Sequence, residues 1–228
     1  MKYSQLLSFY TFLAALFLVT ACGSETSQLA ITGGEAPTGD TPALASTVAL
    51  ADKRSGDTFC TGTIIAENLI LTASHCVIDR RADDFILRLG RKSSSKLTFK
   101  VTAFKTFKDV QKYGVNFDIA WVKFSGALPF PYKPIKVWRE PQNLERGQDL
   151  LVAGYGQTQT DCPEINSPCR GGNLFSTTTI FREYIDAERI KSLILTGPTP
   201  GQSACFGDSG GPAFVKNEEE WFLVGAFL

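Results

Sequence analysis

Cys205-Phe206-Gly207-Asp208-Ser209-Gly210-Gly211-Pro212 sets one serine among three glycines, directly before the apolar run Ala213-Phe214-Val215. Alone, such a stretch is an ordinary tight turn entering a strand. Two other segments change its meaning. Leu69-Ile70-Leu71-Thr72-Ala73-Ser74-His75-Cys76 delivers the only histidine of the chain at the end of an apolar strand. Asn116-Phe117-Asp118-Ile119-Ala120-Trp121-Val122 opens another apolar strand with a carboxylate, expected to be buried there and to need a partner. A lone histidine is more often a surface residue, and an aspartate at a strand start is usually a cap. Together the three supply what acyl transfer needs. A serine is a weak nucleophile until a base takes its proton, and an imidazole titrates in the right range. A carboxylate can hold that imidazole in one tautomer. Glycines beside the serine let backbone N–H groups face a developing oxyanion.

On these residues the chain resembles the trypsin/chymotrypsin-like serine endopeptidases, in the order His, Asp, Ser. Thr72-Ala73-Ser74-His75-Cys76 is similar to the family's TAAHC segment, with Ser74 in place of the second alanine. Asp118-Ile119-Ala120 resembles DIAL, and Gly207 to Pro212 match GDSGGP in full. Ile31-Thr32-Gly33-Gly34 resembles the mature N-terminus IVGG, and Gly154-Tyr155-Gly156 stands where the family often has GWG. The intervals of 43 residues from His75 to Asp118 and 91 from Asp118 to Ser209 are in the family's range.

The resemblance implies roles. Ser209 would attack the scissile carbonyl, His75 would act as base and then acid, and Asp118 would orient His75. The N–H groups of Gly207 and Ser209 would form the oxyanion hole, where losing one donor costs about 3 kcal/mol in the barrier. Cleavage between Ala30 and Ile31 would free an Ile31 ammonium to pair with Asp208, as in a zymogen; Ala30 does not indicate a trypsin-like activator, and the activating protease is unknown. Ser203, six residues before Ser209, would form the base of the specificity pocket. With no aspartate there, the implied preference is an apolar or small residue before the scissile bond rather than Lys or Arg. Cys60 and Cys76 match the family's disulfide beside the histidine, worth about 3 kcal/mol for a loop of that size. The implied fold is all-β, two antiparallel six-stranded β-barrels of the chymotrypsin-like kind with the triad at their interface, the first over about 31–135 and the second over about 136–228.

The rest of the sequence agrees with short strands. No stretch sustains a 3.6-residue apolar period. β-Branched and aromatic runs recur between Gly, Pro, Asp, Asn or Ser, at 46–50, 61–65, 69–72, 85–89, 98–104, 119–124, 149–153, 174–180, 212–215 and 221–226. One helix is expected at 187–195, capped by Asp186 with Glu188 early and Lys191 later. Pro129, Pro131 and Pro134 mark 129–142 as a linker between two halves. Composition agrees: 43% apolar and 20% charged residues make a globular chain, not a disordered one. With 23 basic and 23 acidic residues, no broad claim on nucleic acid or anionic lipid is expected. No metal or nucleotide motif is present, so no cofactor is expected. Protein or peptide substrates are the implied partners.

The N-terminus reads as an export signal over 1–21. Lys2 precedes an apolar run from Leu6 to Val19, too short for a spanning helix. It ends in Val19-Thr20-Ala21-Cys22, which resembles the bacterial lipoprotein box, so Cys22 is expected to carry lipid; Gly23, rather than Asp, leans toward the outer membrane. Residues 22–30 are then a lipidated linker or propeptide, and the cut before Ile31 would also release the protease from its anchor.

Six cysteines in an exported chain point to disulfides. Cys162 and Cys169 flank a short loop and are expected to bridge locally. With Cys22 lipidated, Cys205 is left without a partner. After Trp221–Leu228 the family's last strand and C-terminal helix are missing, so the second barrel is expected to be incomplete, the chain to be C-terminally truncated and its activity doubtful. A protease-like binding lipoprotein without catalysis is the competing reading. A soluble esterase is weaker, because the strand–turn–helix of a nucleophile elbow is missing.

Overall fold

A computed structural model of the chain describes residues 31, 34–107, 118–139, 144–157, 171–187, 190–195 and 204–227. Six strands come first: β1 (Thr47–Asp52), β2 (Thr58–Ala66), β3 (Leu69–Thr72), β4 (Phe85–Arg88), β5 (Thr98–Thr106) and β6 (Ala120–Ser125). They close into an antiparallel barrel in the order β1-β2-β3-β6-β5-β4, with β4 returning to β1. Period-two alternation fills it. On β5, Phe99 and Val101 point inward, and on β6 Ala120, Val122 and Phe124 do, while Lys100 and Lys123 face out. They meet Val48, Leu50, Ile64, Ile70, Phe85 and Leu87 in one core. Burying each large apolar side chain contributes about 2 kcal/mol.

β1 is buried along both faces, and the reason positions the site. Val48 and Leu50 enter the barrel, whereas Ala49 packs outward on Ala43, Ala153, Tyr155 and Leu174, joining the barrel to the second half. A single helical turn, α1 (Pro42–Ser46), precedes β1 and contributes Ala43 to this seam.

The second half is a six-stranded sheet: β7 (Lys136–Val137), β8 (Asp149–Gly154), β9 (Phe175–Ala187), β10 (Ile190–Leu195), β11 (Pro212–Asn217) and β12 (Glu220–Ala226), in the order β10-β9-β8-β11-β12-β7. Its end strands do not pair with each other among the described residues. The all-β, chymotrypsin-like architecture with one closed and one incomplete barrel is thus met. Two local expectations are not. The proline-rich stretch 129–142 is not only a linker: Lys136–Val137 lie parallel to β12, and the Trp138 N–H donates to the Leu223 carbonyl at 2.8 Å. Of the helix expected at 187–195, the described residues 190–195 form a strand instead. β10 pairs antiparallel with β9, Lys191 opposite Asp186 and Leu193 opposite Tyr184. The Ile190-Lys191-Ser192-Leu193-Ile194-Leu195 run suits an extended backbone, and pairing with a thirteen-residue neighbour outweighs a favourable capping pattern.

Candidate active site

β3 ends at Thr72, and the chain turns into a 3₁₀ turn, Ser74–Cys76, which carries His75. The Cys60–Cys76 disulfide ties that turn to β2. Asp118 lies two residues before β6, the neighbour of β3 in the barrel wall. Its carboxylate grips His75 at two points: Oδ1 accepts the backbone N–H at 2.8 Å, and Oδ2 lies 2.6 Å from Nδ1. With Nδ1 bearing the proton toward Asp118, Nε2 is left with its lone pair free to accept another. The Ser74 hydroxyl donates to the Ile119 carbonyl and staples the two segments together. Asp118 is not buried as expected. Its side chain is 33% exposed and that of His75 47%, because both sit at the open end of the barrel, and the carboxylate is satisfied by its partner rather than by enclosure.

The serine turn belongs to the second half but rests against the first. The Thr61 N–H donates to the Ser209 carbonyl at 2.9 Å, and the Thr61 hydroxyl donates to the Gly207 carbonyl at 2.8 Å. Thr72, three residues before His75, donates its hydroxyl to the Thr61 carbonyl at 2.7 Å. Gly210 has φ +80°, and a Cβ there would lie 2.1 Å from the Thr72 hydroxyl and 2.4 Å from the Thr61 carbonyl oxygen, so only glycine fits this contact. Neither the Gly207 nor the Ser209 N–H donates a hydrogen bond among the described residues.

Asp208 points the other way, into the second half, and is fully buried. It accepts N–H groups of Gly156 at 2.8 Å, of Cys205 at 2.9 Å and of Ile31. Burial dominates these hydrogen bonds and pushes its pKa up to about 6. Gly154 and Gly156 wrap the carboxylate so closely that a Cβ at either would lie 2.0 Å or 2.5 Å from its atoms. Between them Tyr155 fills the seam, and its buried hydroxyl donates to the Gly90 carbonyl at 3.0 Å. Ile31 is buried against Val152 and Ala213.

Comparison with known proteins agrees with this arrangement. The trypsin family, described simply as Trypsin, matches residues 31–227. The chain belongs to the trypsin family. Trypsin delta and trypsin gamma of Drosophila melanogaster are each 30% identical to it over 165 residues, covering 70% of this chain and 65% of theirs. Trypsin beta of Drosophila erecta is 28% identical over the same length. The chain thus spans a little less than two thirds of these relatives.

Within this trypsin-family chain, His75, Asp118, Gly207, Asp208, Ser209 and Ile31 are among the described residues. Ser203, Cys22, Cys162 and Cys169 are outside the described residues. The expectation that Cys205 lacks a partner does not hold: it is disulfide-bonded, to a residue outside the described ones. Sequence reasoning also missed Thr61, whose only local signal is its place next to Cys60. It missed a polar depression beside His75 as well, lined by Asp52, Lys53, Arg54, Asp79, Arg80 and Arg81. Its only trace in the sequence is the mixed charge of Asp52-Lys53-Arg54 and Asp79-Arg80-Arg81.

Proposed function

We propose that this trypsin-family chain is an exported serine endopeptidase that cleaves peptide bonds through an acyl-enzyme. Ser209 Oγ attacks the carbonyl while His75 Nε2 takes its proton. Asp118 holds the imidazole in the required tautomer and stabilises its cation. The N–H groups of Gly207 and Ser209 receive the oxyanion, and His75 then returns the proton to the leaving amine. The observation that carries this reading is the two-point grip of Asp118 on His75, which commits Nδ1 to the carboxylate and leaves Nε2 as the base.

The Asp208 carboxylate, already touching the Ile31 N–H, is the partner for the ammonium that a cut after Ala30 would create. Ser203 at the floor of the specificity pocket favours apolar or small residues before the scissile bond. Residues 1–21 direct export, Cys22 carries the lipid, and the activating cut frees the peptidase domain from it.

A fluorophosphonate probe, followed by peptide mapping, tests the central step. Modification should fall on Ser209 and disappear in His75→Ala and Ser209→Ala. Protein with a free Ile31 amine that leaves Ser209 unmodified would instead be a protease-like binding protein.

A further inference from the structure

Four consecutive carbonyls frame the two N–H groups assigned to the oxyanion. Phe206 accepts from the Gln157 N–H at 2.7 Å, Gly207 from the Thr61 hydroxyl at 2.8 Å, Asp208 from the Gly211 N–H at 2.8 Å, and Ser209 from the Thr61 N–H at 2.9 Å. Of the four donors, only the Thr61 hydroxyl is a side chain, and Thr61 supplies two of the four bonds.

Resting on the proposed peptidase reading, we propose that Thr61 is a positioning residue for acylation, its hydroxyl holding the Gly207–Asp208 peptide so that the N–H groups on either side converge on one point. The hydroxyl has a single proton. The Tyr155 N–H donates to its oxygen at 3.0 Å, so the proton is committed to the Gly207 carbonyl. Gly207 sits at φ +99°, where a glycine peptide is free to rotate unless its carbonyl is held. Thr61 itself has little freedom. It is fully buried, it is paired with Ala49 of β1, and its carbonyl receives the Thr72 hydroxyl. One residue of the first barrel thereby connects the loop bearing both donors to β3, the strand that leads into the His75 turn. The Thr61 methyl has a separate job: it lies 3.2 Å from where a Gly211 Cβ would be, filling the space that glycine leaves.

Thr61→Val keeps the shape and removes the hydroxyl; Thr61→Ser keeps the hydroxyl and removes the methyl. Burst kinetics with p-nitrophenyl acetate, on full-length protein cut before Ile31, separate binding of the ester (Ks) from acylation (k2). The burst amplitude counts competent sites, so misfolded protein does not enter the rate. Removing an oxyanion donor outright costs about 10²–10³ in rate, so losing its positioning should lower k2 by about 10- to 100-fold in Thr61→Val with Ks nearly unchanged. Thr61→Ser should recover most of it. Unchanged k2 in Thr61→Val, a loss confined to Ks, or Thr61→Ser as slow as Thr61→Val would each overturn the assignment. Thr61→Ala carries the same comparison if the valine variant does not fold, and failure of both to fold would make Thr61 a purely structural residue. An inert parent protein would refute the peptidase reading and this one with it; an active parent with an indifferent Thr61 would refute only this one.

Discussion

Asp208 in the uncut chain should make folding stability fall as pH rises, opposite to the usual behaviour of a native carboxylate. Its pKa is raised from 3.8 to about 6, first by burial, against which the Cys205, Gly156 and Ile31 N–H groups act only partly. Between those values the folded chain holds a proton that the unfolded chain has released. Stability from this group is therefore complete below about pH 4 and is lost as pH climbs through 6. The difference amounts to about 3 kcal/mol, at about 1.4 kcal/mol per tenfold in proton affinity. Other carboxylates titrate in the same range, so the readout is a difference: urea unfolding from pH 4 to 7.5 of Ser209→Ala protein, which cannot cut itself, against the same protein carrying Asp208→Asn. The parent should lose ground to Asp208→Asn by about 1 M in urea midpoint across that range, for a slope of about 2–3 kcal/mol/M. Protein beginning at Ile31 should behave in the reverse sense, because a neighbouring ammonium favours the ionised carboxylate. A difference that stays flat with pH in the uncut chain, or that grows in the parent's favour, would show that Asp208 is not held protonated there.

Gly210→Ala should destabilise by about 3 kcal/mol, since it combines a left-handed backbone with a Cβ inside contact distance of Thr72 and Thr61; thermal unfolding measures it, and a shift under 1 °C would contradict the packing described. Replacing Cys60 and Cys76 together by serine opens a 16-residue separation and should cost about 3 kcal/mol in denaturant unfolding, with fluorophosphonate labelling slowed because the His75 turn loses its tie to β2. Ser74→Ala removes the bond to Ile119 and should cost about 1 kcal/mol in stability while slowing labelling only a few-fold, since both Asp118 contacts to His75 remain.

The strands of both halves were legible because each is a short β-branched or aromatic run cut off by turn residues, as at Leu69–Thr72 or Ala120–Ser125. β10 reads as a helix because Asp186, Glu188 and Lys191 satisfy a helix's charge pattern while its apolar residues fit either form. The decision is made by β9, a partner that local pattern does not weigh. β7 is two residues long and is recognisable only by its contact with β12. The burial expected for Asp118 came from its apolar neighbours Ile119 and Ala120, but a residue at a barrel's open end does not share the exposure of the strand it precedes. Counting cysteines by elimination leaves Cys205 over, whereas it is disulfide-bonded to a residue outside the described ones.

Chemistry-bearing residues announce themselves by type, so His75, Asp118 and Ser209 could be picked out before any fold was known. The groups that hold them are common residues whose work depends on who faces them. Thr61 and Gly207 are 146 residues apart, and Tyr155 is 94 from Thr61, yet two hydrogen bonds meet at the Thr61 hydroxyl. The same split explains why the seam between the halves matters. His75 and Asp118 are fixed within the first barrel by the β3–β6 pairing and the disulfide, while Asp208 is fixed within the second by Gly154 and Gly156. The Ser209 turn lies between them, held on one side by Thr61, whose carbonyl accepts the Thr72 hydroxyl, and on the other by the buried Asp208 carboxylate. On the proposed zymogen reading, an ammonium freed at Ile31 would pull on Asp208 and so act on Gly207 and Ser209 rather than on His75, which Asp118 holds within the first barrel. Such activation would alter the proposed oxyanion donors and leave His75 in place.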